Sequence, residues 1–154
     1  MKDTSFLGTG WGFPPTFRCT TGGVDMLSGR EDVESSLRII ISTEVGERIM
    51  HPGFGCGLRR FVFEPITHIT QQTVDLHGNA AKGESTPTEA MLETIVKEAI
   101  VLHEPRIIVN KVETYSRPLD GLIEISVEYL LITTNTRYNY VYPFYIHEAT
   151  NLQL

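Results

Sequence analysis

Apolar residues recur at helical spacing in two stretches of the chain and alternate at strand spacing in its last third. Val33, Leu37, Ile40, Ile41 and Val45 fall on one helical stripe, with Glu34 and Arg38 as a supporting i,i+4 pair. Ser28 and Glu31 have the spacing of a capping box, which predicts a helix starting there and ending near Gly46. A second helix is predicted from Thr86 as N-cap, with Pro87 at the first helical position and Glu89 completing another capping box. Its apolar face is Met91, Leu92, Ile95, Val96, Ala99, Ile100 and Leu102, with Glu93 and Lys97 paired outside and a stop at Glu104-Pro105.

The period then changes to two. Ile107 to Tyr115 alternates weakly, and Arg117-Pro118-Leu119-Asp120-Gly121 reads as a turn. Leu122 to Thr134 reads as a long strand with Ile123, Ile125, Val127, Tyr129 and Leu131 on one face. Asn135-Thr136 joins it to a third strand, Arg137 to Ile146. Pro143 has no N–H to give a ladder, so this strand belongs at an edge or carries a bulge. The expectation is an α+β fold, helices packed on a three-stranded antiparallel meander.

Ahead of the first helix, Leu7-Gly8-Thr9-Gly10-Trp11-Gly12-Phe13-Pro14-Pro15 is too rich in Gly and Pro for a helix. Phe17 to Thr20 and Val24 to Leu27 are short strand candidates around Gly22-Gly23. Residues 47–57 form a glycine-rich turn region, Leu58 to Phe63 a short helix closed by Glu64-Pro65. Ile66 to Leu76 is ambiguous, and 77–86 reads as a mobile loop. At 154 residues the chain is expected to form one domain.

Charge narrows the function classes. The chain holds 13 Lys plus Arg against 19 Asp plus Glu, a net charge of −6, and residues 64–104 carry much of the acidity. Without a basic face, nucleic acid is not expected as a partner. No apolar run reaches the ~20 residues of a membrane span, and the first residues lack a signal-peptide core, so a cytoplasmic protein with no membrane partner is expected. Cys19 and Cys56 fit neither a redox pair nor a zinc knuckle. Free thiols are preferred, with a disulfide left open.

Candidate chemistry is sparse. Glycoside hydrolysis needs two carboxylates about 5–10 Å apart, and Glu44 with Glu47 or Glu64 with Glu104 are pairs any acidic chain offers. The five histidines lack ligand spacing, and no phosphate-binding loop or nucleophile context is present, so no catalytic residue, metal or cofactor is assigned.

Binding features are clearer. The second face of the long strand starts polar at Glu124, Ser126 and Glu128 and becomes apolar at Leu130 and Ile132. It is expected to be half covered, by the chain's own N-terminal segment or by another chain. The last strand carries Tyr138, Tyr140, Tyr142 and Phe144 on one side, to pack on a helix or to receive a partner strand. Leu130, Ile132, Tyr140 and Tyr142 are therefore the candidate strand-addition face. At the helix-to-sheet junction, Glu104-Pro105-Arg106 is either a bidentate carboxylate–guanidinium network or a helix stop with two solvated charges.

Taken together, these residues resemble the lysozyme-like baseplate wedge family of contractile tails, which includes the T-even phage wedge protein and a component of type VI secretion. The resemblance rests on Phe6-Leu7-Gly8-Thr9-Gly10-Trp11-Gly12-Phe13-Pro14-Pro15, on Val33 to Thr43, and on the G-E-R element Gly46-Glu47-Arg48 with the turn that follows. It also rests on the E-P-R element Glu104-Pro105-Arg106 and the ending Tyr142-Pro143-Phe144-Tyr145. The segment from about 66 to 86 departs from compact members. The resemblance implies a structural, non-enzymatic baseplate component, present in a ring of copies, assembled in the cytoplasm and contacting wedge proteins, inner tube or hub proteins, and sheath subunits. It implies sheath initiation by strand addition, and for Glu104 and Arg106 an ordered charge pair at the core or at a wedge contact. On that basis Arg106→Ala is expected to leave a folded monomer that assembles poorly. The alternative function is a peptidoglycan-cleaving hydrolase.

Overall fold

The computed structural model of the chain describes residues 7–20, 22–62, 87–117 and 121–145. Its centre is the predicted meander: β5 (Ile107–Arg117), β6 (Leu122–Leu131) and β7 (Thr136–Tyr145), antiparallel in the order β5-β6-β7. β6 alternates without a break. Ile123, Ile125, Val127, Tyr129 and Leu131 are buried, and the residues between them are half-buried on the other side. Facing positions across an antiparallel ladder share a side of the sheet. The register Tyr129↔Tyr138, Val127↔Tyr140, Ile125↔Tyr142 and Ile123↔Phe144 therefore puts the β7 aromatics on the core side.

Two helices complete that core. Val33, Leu37, Ile40 and Ile41 of α1 (Arg30–Ser42) and Leu92, Val96, Ala99 and Ile100 of α2 (Pro87–His103) form one buried cluster with the sheet. Leu58 and Phe61, around a single 3₁₀ turn at Arg59–Phe61, join it. Cys56 is buried there as well. Burial, reinforced by Glu44, pushes its thiol up to about 12, while Cys19 is exposed and both are free.

The N-terminal segment is a nested hairpin arm. β1 (Thr9–Trp11) pairs with β4 (Met26–Ser28), and within them β2 (Phe17–Arg18) pairs with β3 (Gly23–Val24). Leu7 anchors it in the core, whereas Trp11, Phe17 and Met26 are exposed.

Several local expectations are corrected. Ser28 belongs to β4, paired with Thr9, so it does not cap α1; Gly29 is the N-cap and gives no side-chain bond. The helix ends at Ser42, four residues before Gly46, because the Thr43 hydroxyl and N–H both bond the Ile39 carbonyl and Thr43 turns extended. Val45 thus lies beyond the helix and is exposed. Glu34 pairs backwards with Arg30 at 2.6 Å, not forwards with Arg38. Met91 and Leu102 leave the predicted apolar face of α2 and are exposed, and Glu93 turns toward the sheet. The described N-terminal residues dock on α1 through β1 and β4. The second face of β6 carries cross-strand polar pairs such as Ser126 with Asn139. The expectations for Glu64-Pro65, 66–76, the loop 77–86, Thr86 and Ile146 fall outside the described residues.

Candidate functional site

Arg106 stands at the first turn after α2, where Pro105 forces the chain out of the helix. Its Nε and Nη2 donate to the two oxygens of Glu104 at 2.6 and 2.7 Å, a bidentate pair. Its Nη1 donates to Asp32 Oδ2 at 2.5 Å and to the Leu7 carbonyl at 2.8 Å. Of the two openings for E-P-R, the ordered network is the one present. One guanidinium ties together the end of α2, the first turn of α1 and the N-terminal arm. Burial raises the carboxyl of Glu104, but hydrogen bonds from Arg106 and Ser36 and the charge of Arg106 outweigh it and set the pKa below the ordinary carboxylate value. The bond to Glu104 leads those that hold Arg106 above its ordinary value. Gly10 packs so closely on this site that a methyl group there would overlap Asp32 Oδ1.

The G-E-R element builds the loop after α1. The Gly46 N–H donates to the Pro52 carbonyl at 2.8 Å, and Glu47 Oε2 accepts the Glu44 N–H at 2.9 Å. The Arg48 guanidinium lies 4.0 Å from the Phe54 ring centroid, and Phe54 in turn packs on His103 of α2. At Gly55, φ is +116° and a side chain would strike the Thr43 carbonyl, the acceptor for the Cys56 N–H. The loop is therefore stapled at both ends, with Ile49 and Met50 left almost fully exposed.

The two rims of the sheet differ. The Ile132 N–H donates to the Arg106 carbonyl, so even-numbered positions of β6 direct their backbone groups toward β5 and odd-numbered ones toward β7. With the observed register, Thr114 on β5 and Arg137, Asn139, Val141 and Pro143 on β7 point their backbone outward. The outward N–H of Thr114 is taken by Glu93 of α2 at 3.0 Å, and β5 is also bulged between Val109 and Lys111. Both devices blunt an edge. On β7, no described strand pairs with the outer rim, and the missing N–H of Pro143 falls where the ladder does not need it.

Beside that open rim runs a groove of about 870 Å³ between β7 and α1. Tyr140, Tyr142, Ile39 and Phe13 supply apolar walls, and Arg38, Arg48, Glu34 and Glu47 supply charge. Burial raises the pKa of both tyrosines, and the charge of Arg38 acts in the opposite direction on each.

The candidate strand-addition residues divide between two surfaces, which corrects their grouping as one face. Tyr140 and Tyr142 line the groove, whereas Leu130 and Ile132 sit on the other side of the sheet, half-buried and exposed. Facing register, not proximity in sequence, separates them. Of the carboxylate pairs, Glu104 is 2% exposed and held by Arg106, and Glu44 accepts the Arg59 N–H while Glu47 caps Glu44. Glu64 lies outside the described residues. Sequence reasoning missed Asp32, Ser36, Phe13 and Arg38. Asp32 and Ser36, one turn apart beside the apolar stripe of α1, were the legible signal for the first two. Among the described residues, no His, Cys, Asp and Glu cluster is placed to hold a metal, and no helix is long and apolar enough to cross a membrane.

A family model described as baseplate wedge protein gp25 matches residues 27–77 and 74–136, well over half of the chain. The chain is similar to the crystal structure of a candidate tail lysozyme from Geobacter sulfurreducens, at 39% identity and a TM-score of 0.63, covering 80% of this chain and 96% of that one. It is also similar to a chain of the anti-feeding prophage baseplate, solved by cryo-EM with six-fold symmetrisation, at 27% identity and a TM-score of 0.59, covering 98% and 97%. No curated protein matches it.

Proposed function

We propose, from the premise that this chain belongs to the baseplate wedge protein gp25 family and is a baseplate component of a contractile injection system, that it starts sheath assembly by accepting strands on β7. The observation that carries this reading is the outward-facing backbone of Arg137, Asn139 and Val141 beside a groove lined by Tyr140 and Tyr142, while the opposite rim is clipped by Glu93. Strand addition draws affinity from such main-chain groups and specificity from alternate side-chain pockets. The expected partners are sheath subunits on this rim, with baseplate wedge proteins and inner tube or hub proteins elsewhere, in a ring of copies assembled in the cytoplasm. The role is structural and no reaction is assigned to it.

The test is Val141→Pro. It removes one outward donor and leaves the ladder to β6 intact, since proline here repeats the natural situation at Pro143. A folded Val141→Pro protein, checked by circular dichroism, should still enter baseplates yet give few or no full-length sheaths in producing cells by electron microscopy. Sheaths of normal number and length with this variant overturn the reading.

A further inference from the structure

Resting on the strand-accepting role of β7, we infer that Arg38 selects the incoming segment: the groove takes an extended peptide with apolar side chains over Tyr140 and Tyr142 and one carboxylate set on the Arg38 guanidinium.

Three observations carry this. First, a strand added to β7 is held by the backbone of Arg137, Asn139 and Val141, and every second side chain then points to the side of the sheet that Tyr138, Tyr140 and Tyr142 occupy. That side is the groove, where Ile39, Phe13 and the two tyrosines favour apolar partners. Second, the acids of the groove are already engaged. Glu34 accepts from Arg30 at 2.6 Å, and Glu47 accepts the Glu44 N–H. Third, Arg38 is not so engaged: its guanidinium lies 5.8 Å from the Phe13 ring centroid, with no ion pair to a described carboxylate. Arg48, the other cation lining the groove, is stacked on Phe54. The Arg38 guanidinium, which has no described carboxylate of its own, is therefore the groove cation left to pair with an anionic side chain, and a lysine or arginine brought beside it meets repulsion.

The test uses the full chain and a library of capped nonapeptides with Thr at odd positions and Val, Ile, Tyr, Glu, Gln or Lys at even positions. Binding is read by fluorescence polarisation and by protection of the Arg137, Asn139 and Val141 amides in NMR exchange. The wild-type protein should favour peptides with one Glu among apolar even positions, by about two- to fivefold over the Gln counterpart and more over Lys, as suits an exposed guanidinium. Arg38→Gln should abolish that preference, and Arg38→Glu should invert it toward Lys. Because the wild-type preference is itself decisive, the result does not depend on how well either variant folds. Protection of the β7 amides with equal affinity for Glu, Gln and Lys peptides overturns the role of Arg38 and leaves strand addition standing. If no peptide protects those amides, or if they are protected before any peptide is added, both fall.

Discussion

The single guanidinium of Arg106 satisfies two carboxylates and one carbonyl contributed by three separate parts of the chain. Removing one partner of a buried ionic network leaves the others uncompensated, which costs roughly 3–5 kcal/mol. Arg106→Ala is therefore expected to lower the denaturation midpoint strongly, in place of the folded, assembly-defective monomer that the sequence alone suggested. The pH dependence distinguishes the cause. In the wild type the pKa of Glu104 is depressed, so its contribution to stability is complete above the unfolded value of about 4.3 and is lost as pH falls through the lower folded value. In Arg106→Ala burial is opposed by the Ser36 hydrogen bond without the Arg106 charge, so the pKa rises, and the deficit should be largest near neutrality and shrink on acidification. Chemical denaturation of both proteins from pH 7 to pH 3 measures it, and a pH-independent deficit speaks against the network.

At the scale of elements, the two rims of one sheet should behave differently in solution. The outward amide of Thr114 is bonded to Glu93, while those of Arg137, Asn139 and Val141 have no described strand beside them. Hydrogen exchange followed by NMR should show Thr114 protected and the three β7 amides exchanging fast; uniform protection along both rims would contradict the asymmetry. The strands themselves were legible because a period of two over Ile123 to Leu131 admits one burial pattern, and Pro143 left an edge or a bulge as the two openings, of which the edge is the one present. The ends of α1 were not legible. Ser28 has the chemistry of a cap, but strand pairing with Thr9 claimed it first, and Thr43 closed the helix on Ile39 before Gly46 was reached.

At the scale of the whole molecule, the sites join parts distant in sequence. Arg106 and Asp32 lie 74 positions apart, and the groove unites α1 with a strand about a hundred residues later. The E-P-R residues were visible as a charged junction, but nothing local in sequence names Asp32 or the Leu7 carbonyl as the partners. The groove was invisible for the same reason, although both of its tyrosines were singled out. The same global view bears on the hydrolase alternative. Glu104 is buried under Arg106, and Glu44 and Glu47 are committed to backbone amides. Purified protein should produce no clearing of a peptidoglycan suspension in a turbidity assay, whereas clearing abolished by a single Glu→Gln change would establish that alternative.

The clip that Glu93 places on β5 has a consequence for how such a molecule multiplies contacts. On the proposed strand-accepting role of β7, a bonded amide on one rim and backbone without a described partner strand on the other make the two ends of the sheet unequal as docking sites. Under that proposal growth would be vectorial, favoured at β7 and discouraged at β5 by the Glu93 contact.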